Sequence, residues 1–338
     1  MKKSFIITID TEGDNIWSRT KDVQVKNAKY LSRFQNLCEK HGFKPTYLTN
    51  YEMVQDKHFL ELGKSVIANN TGEIGMHLHA WNSPPEYQLV KQDYIHHPYL
   101  IEYPKDIIYQ KIKYMTKLLE DTFEVKMVSH RAGRWAFNEY YAKVLNELGY
   151  KVDCSVTPGV SWESHKGDPK GSGGTDYKNF PNDSYFLDLN DISQKGNSSL
   201  LEVPMTILYR NVTHPQITKI ISHLEDYFIS SKYAPKISKK IILGILNRIY
   251  PQTRWFRPDG NNLKSMKKVA KKTFDSNNDY LEFMLHSSEL MPGGSNRFKT
   301  EESIEKLYYE LDIIFGIIKR NTNGVTLKEY YNLKHSTN

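Results

Sequence analysis

Strand-like and helical segments alternate about seven times along this chain, which restricts the fold to a parallel sheet with helical crossovers and favours a (β/α) barrel over an open sheet. The first strand is Ser4 to Ile9. A helical pattern over Asn27–Lys40 places Leu31, Phe34, Leu37 and Cys38 on one face and ends at His41-Gly42. Further strands are expected over Thr46–Leu48, Glu73–His79, Lys126–Ser129, Lys151–Ser155, Leu200–Leu208, Trp255–Arg257 and Leu281–Leu285. Helices are expected over His58–Ala68, Pro104–Leu119, Asn138–Leu148 and Glu302–Ile318. No repeat or low-complexity linker divides the 338 residues, so a single domain, 1–338, is expected, with a long Gly-, Ser- and Pro-rich loop insertion at 156–199 that contains a hairpin.

In such a barrel chemistry gathers at the carboxyl ends of the strands. Asp10, His79, Arg131, Asp153 and His286 all fall at or just past expected strand ends. Residues two apart on a strand share a face, so Asp10 with Glu12, and His77 with His79, form two pairs that can converge on one ion. Taken alone, Asp-x-Glu at a strand end also reads as a turn or cap element, and His-x-His also reads as satisfied polar residues. Arg131 and Arg134, in Arg131-Ala132-Gly133-Arg134-Trp135, can each orient a carboxylate or bind an anionic substrate group. Asp153 is a candidate partner for Arg131 or His286. His286 is a candidate general acid that Glu289 can steer, while His96-His97 reads as loop. Trp81, Trp135, Trp162 and Trp255 suit stacking on sugar rings.

Composition narrows the partners. Lysine and arginine number 46 against 39 acidic residues, a net charge of +7, but the basic residues are dispersed and no nucleic-acid motif accompanies them, so no nucleic-acid partner is expected. The two cysteines, Cys38 and Cys154, lack zinc-type spacing and read as small buried apolar residues. Met1-Lys2-Lys3 leads directly into the first strand, and no apolar run is long enough to span a membrane, so a cytoplasmic location is expected. A basic amphipathic pattern over 232–250 reads first as a helix covering the barrel and second as a membrane-surface contact.

In order along the chain, Thr8-Ile9-Asp10-Thr11-Glu12-Gly13-Asp14, Glu73-Ile74-Gly75-Met76-His77-Leu78-His79, Arg131-Ala132-Gly133-Arg134, Asp153-Cys154-Ser155-Val156 and Leu285-His286 resemble the five successive motifs of the polysaccharide deacetylase family, carbohydrate esterase family four. The resemblance spans Ser4 to His286. It implies a distorted seven-stranded (β/α) barrel with long loops and a divalent metal, usually Zn2+. It assigns Asp10 as catalytic base, Arg131 as its orienting residue, His286 as general acid, and Glu12 or Asp14 with His77 and His79 as metal ligands, Glu73 being a further carboxylate of the second motif. Beside it, on the residues' own chemistry, Trp81, Arg134 and Trp135 remain candidate substrate contacts and Asp153 and Glu289 candidates behind the site. The family usually has adjacent aspartates in its first motif and histidines four apart in its second, where this chain has Trp81 at the fourth place after His77. The activity implied is hydrolysis of an N-acetyl or O-acetyl group on an acetylated glycan or amino-sugar precursor. A metal hydrolase acting on the carbon-nitrogen bond of a small amide and a non-catalytic glycan-binding barrel are the other readings.

Overall fold

The computed structural model of the protein describes residues 2–19, 21–209 and 253–336. The chain divides into two compact units, Met1–Thr206 with Phe256–Asn338, and Ile207–Trp255. In the second unit the described residues form an antiparallel pair, β9 (Ile207–Tyr209) with β10 (Thr253–Trp255). The amphipathic segment 232–250 lies outside the described residues.

The larger unit is an incomplete (β/α) barrel. Its strands are β1 (Lys3–Thr11), β2 (Pro45–Thr49), β3 (Glu73–Leu78), β4 (Ser129–Ala132), β5 (Val152–Asp153), β8 (Leu201–Glu202) and β11 (Tyr280–His286). They lie in the order β11-β1-β2-β3-β4-β5-β8, every neighbouring pair parallel. The hairpin β6 (Tyr185–Asp188) and β7 (Asp191–Lys195) extends the β8 edge antiparallel. Between β8 and β11 irregular chain takes the place of a ladder: Phe256 N donates to Thr206 O at 3.1 Å, Met284 N to Phe256 O at 3.4 Å and Glu282 N to Thr206 Oγ1 at 2.9 Å.

The helices cover the outside for the reasons their sequences state. In α1 (Leu31–His41) Leu31, Phe34 and Cys38 are buried at helical spacing, and Gly42 stops the helix at φ 73°, a left-handed conformation that glycine adopts without strain. Around the barrel follow α2 (Lys57–Ala68), the single turn α3 (Asp93–His96), α4 (Lys105–Phe123), α5 (Glu139–Glu147), α6 (Leu263–Phe274) and α7 (Glu301–Lys319). No helix among the described residues is long and apolar enough to cross a membrane. Both cysteines are free and buried.

Three expectations are corrected. The strand expected over Lys126–Ser129 lies at Ser129–Ala132, because Met127 N is taken by Glu120 Oε1 at 3.1 Å and β4 registers with the end of β3, His77 beside Arg131. The strand expected over Leu200–Leu208 is two strands, since Pro204 has no N–H and its carbonyl accepts from Tyr280 Oη at 2.7 Å. Beyond α7, where no further element was expected, β12 (Thr322–Val325) pairs with the start of β1, and α8 (Leu327–His335) follows a Thr326 capping box.

That last helix closes the lower end of the barrel. Leu327, Tyr330 and Tyr331 join Ile6, Leu48, Val152, Leu201, Val203 and Tyr280 in one buried cluster. Nearby, Glu73 accepts from Ser129 Oγ at 2.5 Å, Thr46 Oγ1 at 3.2 Å and Lys328 N at 3.0 Å. Glu73 stands four positions before His77 along β3, roughly 13 Å of rise, so Glu73 belongs to the floor and is not a metal ligand of the upper face.

At Gly75 an added Cβ would stand 2.8 Å from Ser129 O and 2.9 Å from Leu48 Cδ2, where the backbone of β4 blocks relief. Gly75→Ala is therefore expected to destabilise the barrel by about 1–3 kcal/mol in urea unfolding, the usual cost of overpacking. Unchanged stability would show that β3 and β4 can part at this point.

Candidate metal centre

Strand periodicity builds the site. Thr8, Asp10 and Glu12 follow one face of β1 and its end, while Glu282 and His286 follow the matching face of β11, with Asp10 directly beside His286 in register. His77 lies near the end of β3, and His79 lies just beyond it. All of these side chains are buried.

Glu12, His77 and His79 each present a ligand atom, and these atoms lie within 4.8 Å of one another. Glu12 Oε2 is 2.8 Å from His79 Nε2 and 3.4 Å from His77 Nε2, and the two Nε2 atoms are 3.2 Å apart. His77 Nδ1 donates to Arg131 O at 2.9 Å, which turns the lone pair of Nε2 inward. Glu12 Oε1 is buried without a hydrogen-bond partner among the described residues. Two imidazole nitrogens and a carboxylate, one oxygen of it unspent, are the donor set of an open zinc site, so these residues fit a divalent ion. Burial raises the Glu12 carboxyl, but the imidazoles of His77 and His79 bring it well below the ordinary carboxylate value.

Asp14 stands apart from this group. Its oxygens accept from Lys26 N and Asn27 N, both at 2.9 Å, and from Asn27 Nδ2 at 2.7 Å, so it anchors the loop that follows β1. Of the two carboxylates proposed from sequence, only Glu12 is gathered with the imidazoles.

Asp10 lies beside the cluster, held by the fully buried Arg131. The guanidinium donates to Asp10 Oδ1 at 2.6 Å, Thr8 Oγ1 at 2.9 Å, Cys154 O at 3.0 Å and, through Nη2, Glu282 Oε1. Burial raises the Asp10 carboxyl, but Arg131, with His77 and His286, more than reverses this and holds it below its ordinary value. Glu282, sharing the same cation, is pushed up to about 7 by burial. The sequence signal for Glu282 was a charge at an inward-facing position of an apolar strand, and it went unread.

His286 Nε2 is 3.7 Å from Asp10 Oδ2 and 3.9 Å from Glu12 Oε1. Its Nδ1 lies 3.3 Å from Glu289 Oε2, which also accepts from His286 N at 2.9 Å. Arg257, also missed from sequence, donates from Nη2 to both Glu289 oxygens at 3.0 and 3.1 Å. Burial raises the Glu289 carboxyl, and Arg257 together with His286 brings it down to about 2.

Asp153 is corrected. It touches neither Arg131 nor His286, but takes His130 Nδ1 at 2.5 Å and Ser155 Oγ at 2.9 Å, and Ser155 Oγ in turn accepts from Ala132 N at 2.8 Å. It therefore fixes the end of β4, from which Arg131 projects.

A cavity of about 410 Å³ opens above the cluster. Trp17, Tyr99, Arg134, Trp135, Trp162, Arg257 and Arg297 line it together with Asp10, Glu12, His77, His79, His286 and Glu289. Arg134 and Trp135 were expected there. Trp81 is not among the lining residues; it stacks on His97 at 4.7 Å with its ring tilted against His79 at 6.1 Å. Trp17, edge-on to His286 at 4.5 Å, and Tyr99 were missed, because both lie in loops with no strand-end signal.

No protein-family model and no curated protein sequence matches the chain. Among solved structures, a Mycobacterium smegmatis protein assigned as a polysaccharide deacetylase aligns over 99% of this chain and 91% of its own, at 12% identity and a TM-score of 0.49. The 4-α-glucanotransferase of Thermococcus litoralis aligns over 98% of this chain at 13% identity and a TM-score of 0.50; the match spans 40% of that enzyme. A wild-type CE4 family pseudoenzyme from Bacillus anthracis aligns over 98% of this chain and 66% of its own, at 12% identity and a TM-score of 0.42. At these identities the likeness is one of fold.

Because Glu289 is held at about 2 against an ordinary 4.5, its contribution to stability is complete above pH 4.5 and is lost as pH falls toward 2. The contribution is on the order of 3 kcal/mol. The unfolding free energy of the native protein should therefore exceed that of Glu289→Gln at pH 6, and the gap should narrow by pH 3.5. A gap independent of pH would remove the charge on Glu289 as its cause.

Proposed function

We propose that this protein is a divalent-metal-dependent deacetylase, zinc being the favoured ion, that hydrolyses the N-acetyl group of an amino sugar within a glycan or glycan precursor. The observation that carries the reading is the convergence of Glu12, His77 and His79 within 4.8 Å, flanked by an arginine-held Asp10 and a glutamate-held His286. The order of the five sequence motifs supports the same assignment. The aromatic cavity of about 410 Å³ is of a size suited to a sugar ring rather than a small amide.

Glu12, His77 and His79 hold the ion, which when bound supplies Lewis acidity to the amide carbonyl and lowers the pKa of water. Asp10 is the base. Arg131 fixes Oδ1 and keeps the carboxyl ionised, which leaves Oδ2 to take the proton of the attacking water. His286 is the acid: Glu289 orients its Nδ1, and Nε2, on the Asp10 side of the cavity, delivers a proton to the departing amine. Water adds to the carbonyl carbon as the carbon-nitrogen bond breaks, giving acetate and a free amino sugar. Trp135 and Tyr99, on the cavity wall, supply aromatic surface to the saccharide.

Two variants divide the roles. Asp10→Asn should abolish acetate release from N-acetylated chitooligosaccharides while zinc content by elemental analysis stays near that of the native protein. His79→Ala should lose zinc and activity together. Full activity in Asp10→Asn would remove it as the base, and sugar binding indifferent to chelation, with no acetate released under any metal, would favour a glycan-binding module.

A further inference from the structure

Each carboxylate lining the cavity already has a partner. Asp10 has Arg131 at 2.6 Å, Glu289 has Arg257 at 3.0 and 3.1 Å, and Glu12 has His79 at 2.8 Å. Arg134 also lines the cavity, yet it forms no ion pair with any described residue. Its guanidinium lies over the Tyr99 ring at 3.8 Å, and Nη1 donates to His96 O at 3.3 Å. Glu102 attracts it from beyond ion-pair distance, the Oε2 of that residue being taken by Tyr99 N and Asp168 N, both at 2.9 Å. Burial lowers the Arg134 pKa from its ordinary value, as expected of a partly desolvated charge without a close counterion. Arg297, at the rim, pairs among the described residues with Glu289 at 3.5 Å, a carboxylate that Arg257 already holds.

Backbone geometry adds a second observation. Arg134 and Trp135 follow β4 with φ of 56° and 60°, two successive left-handed residues that are not glycine. Such conformations are strained and persist where the surrounding structure imposes them, often at ligand sites. Here they coincide with the placement of both side chains on the cavity wall.

Counting formal charges, Asp10, Glu12 and Glu289 balance Arg134, Arg257 and Arg297 along the wall, so a divalent ion at Glu12, His77 and His79 would leave the cavity with a positive excess. We propose that the cavity selects an anionic saccharide, an acetylated sugar bearing a carboxylate or a phosphate, and that Arg134 is the residue that receives the anion, with Arg297 as a second donor at the rim. A guanidinium fork suits either group, since both accept two parallel N–H bonds. This substrate class rests on the deacetylase reading of the same cavity.

The test is equilibrium binding by calorimetry in the presence of zinc, with two matched pairs of probes. One pair sets a tetrasaccharide of alternating glucuronate and N-acetylglucosamine against neutral chitotetraose; the other sets N-acetylglucosamine 6-phosphate against N-acetylglucosamine. The expected result is that an anionic member binds about tenfold or more tightly than its neutral match, as one charge-assisted contact allows. The pair in which this occurs distinguishes carboxylate from phosphate. Arg134→Gln should abolish the preference, and Arg134→Lys, which keeps the charge, should retain part of it. No preference in either pair, including no binding at all, overturns the proposal, as does a preference that survives in Arg134→Gln. Binding is read without turnover, so anion preference with no acetate release would sink the deacetylase reading alone, and acetate release from neutral sugars without anion preference would sink the anion site alone.

Discussion

A single guanidinium, fully enclosed, ties the strands that carry the site. Arg131 extends from β4 to Asp10 and Thr8 on β1, to Glu282 on β11 and to the carbonyl of Cys154 beyond β5. A charge so placed is tolerable only while its partners remain, and removing one member of a buried pair commonly costs about 3–5 kcal/mol. The position of Asp10 is thereby linked to the integrity of the barrel. The sharing is unequal: Asp10 is held below its ordinary value while Glu282 is pushed up to about 7, so the cation keeps the carboxylate facing the cavity ionised and lets the one in the interior approach neutrality.

The interior is layered along the strands. Thr46 and Ser129 both donate to Glu73 near the end that α8 closes, and the residues two and four places further along bring a glycine at 75, then His77 and Arg131, toward the opposite end. Polar groups thus occupy both ends of the interior, with Ile6, Leu48, Val152, Leu201 and Tyr280 in the apolar cluster. The lower polar set is satisfied by side chains and by the Lys328 N–H. The upper set leaves Glu12 Oε1 without a hydrogen-bond partner among the described residues, an acceptor turned toward the two imidazoles' end of the interior.

Much of this was legible in the sequence because period two is a rigid rule. Asp10, His79, Arg131, Asp153 and His286 could be assigned to the strand ends of a parallel barrel, with Glu12 and His77 joined to them by the two-residue rule, and in the structure all but Asp153 meet around the cluster. What failed had no periodic signal. Asp14 follows Glu12 at the right interval, but the strand has ended by then, and local N–H groups at Lys26 and Asn27 capture its carboxylate. Asp153 was paired with the wrong partners because His130, its neighbour across the β4–β5 ladder, competes at 2.5 Å. Trp17, Tyr99 and Arg257 reach the cavity from loops whose course is set by tertiary packing. The terminal β12 and α8, of four and nine residues, are too short to carry a clear periodic signal, though Thr326 and Glu329 carry the capping-box pattern.

The histidine spacing shows why a departure from a family pattern must be judged in three dimensions. Here His79 follows His77 by two places and lies one residue past the end of β3. Alternation along an extended chain still points residues 77 and 79 to the same side, and their Nε2 atoms lie 3.2 Å apart, close enough to share an ion between them. The position that the family pattern would give to the second histidine is held instead by Trp81, which stacks on His97 and lies tilted against His79. Packed against both imidazoles, the indole helps to fix the orientation of the His79 ring that faces the cavity.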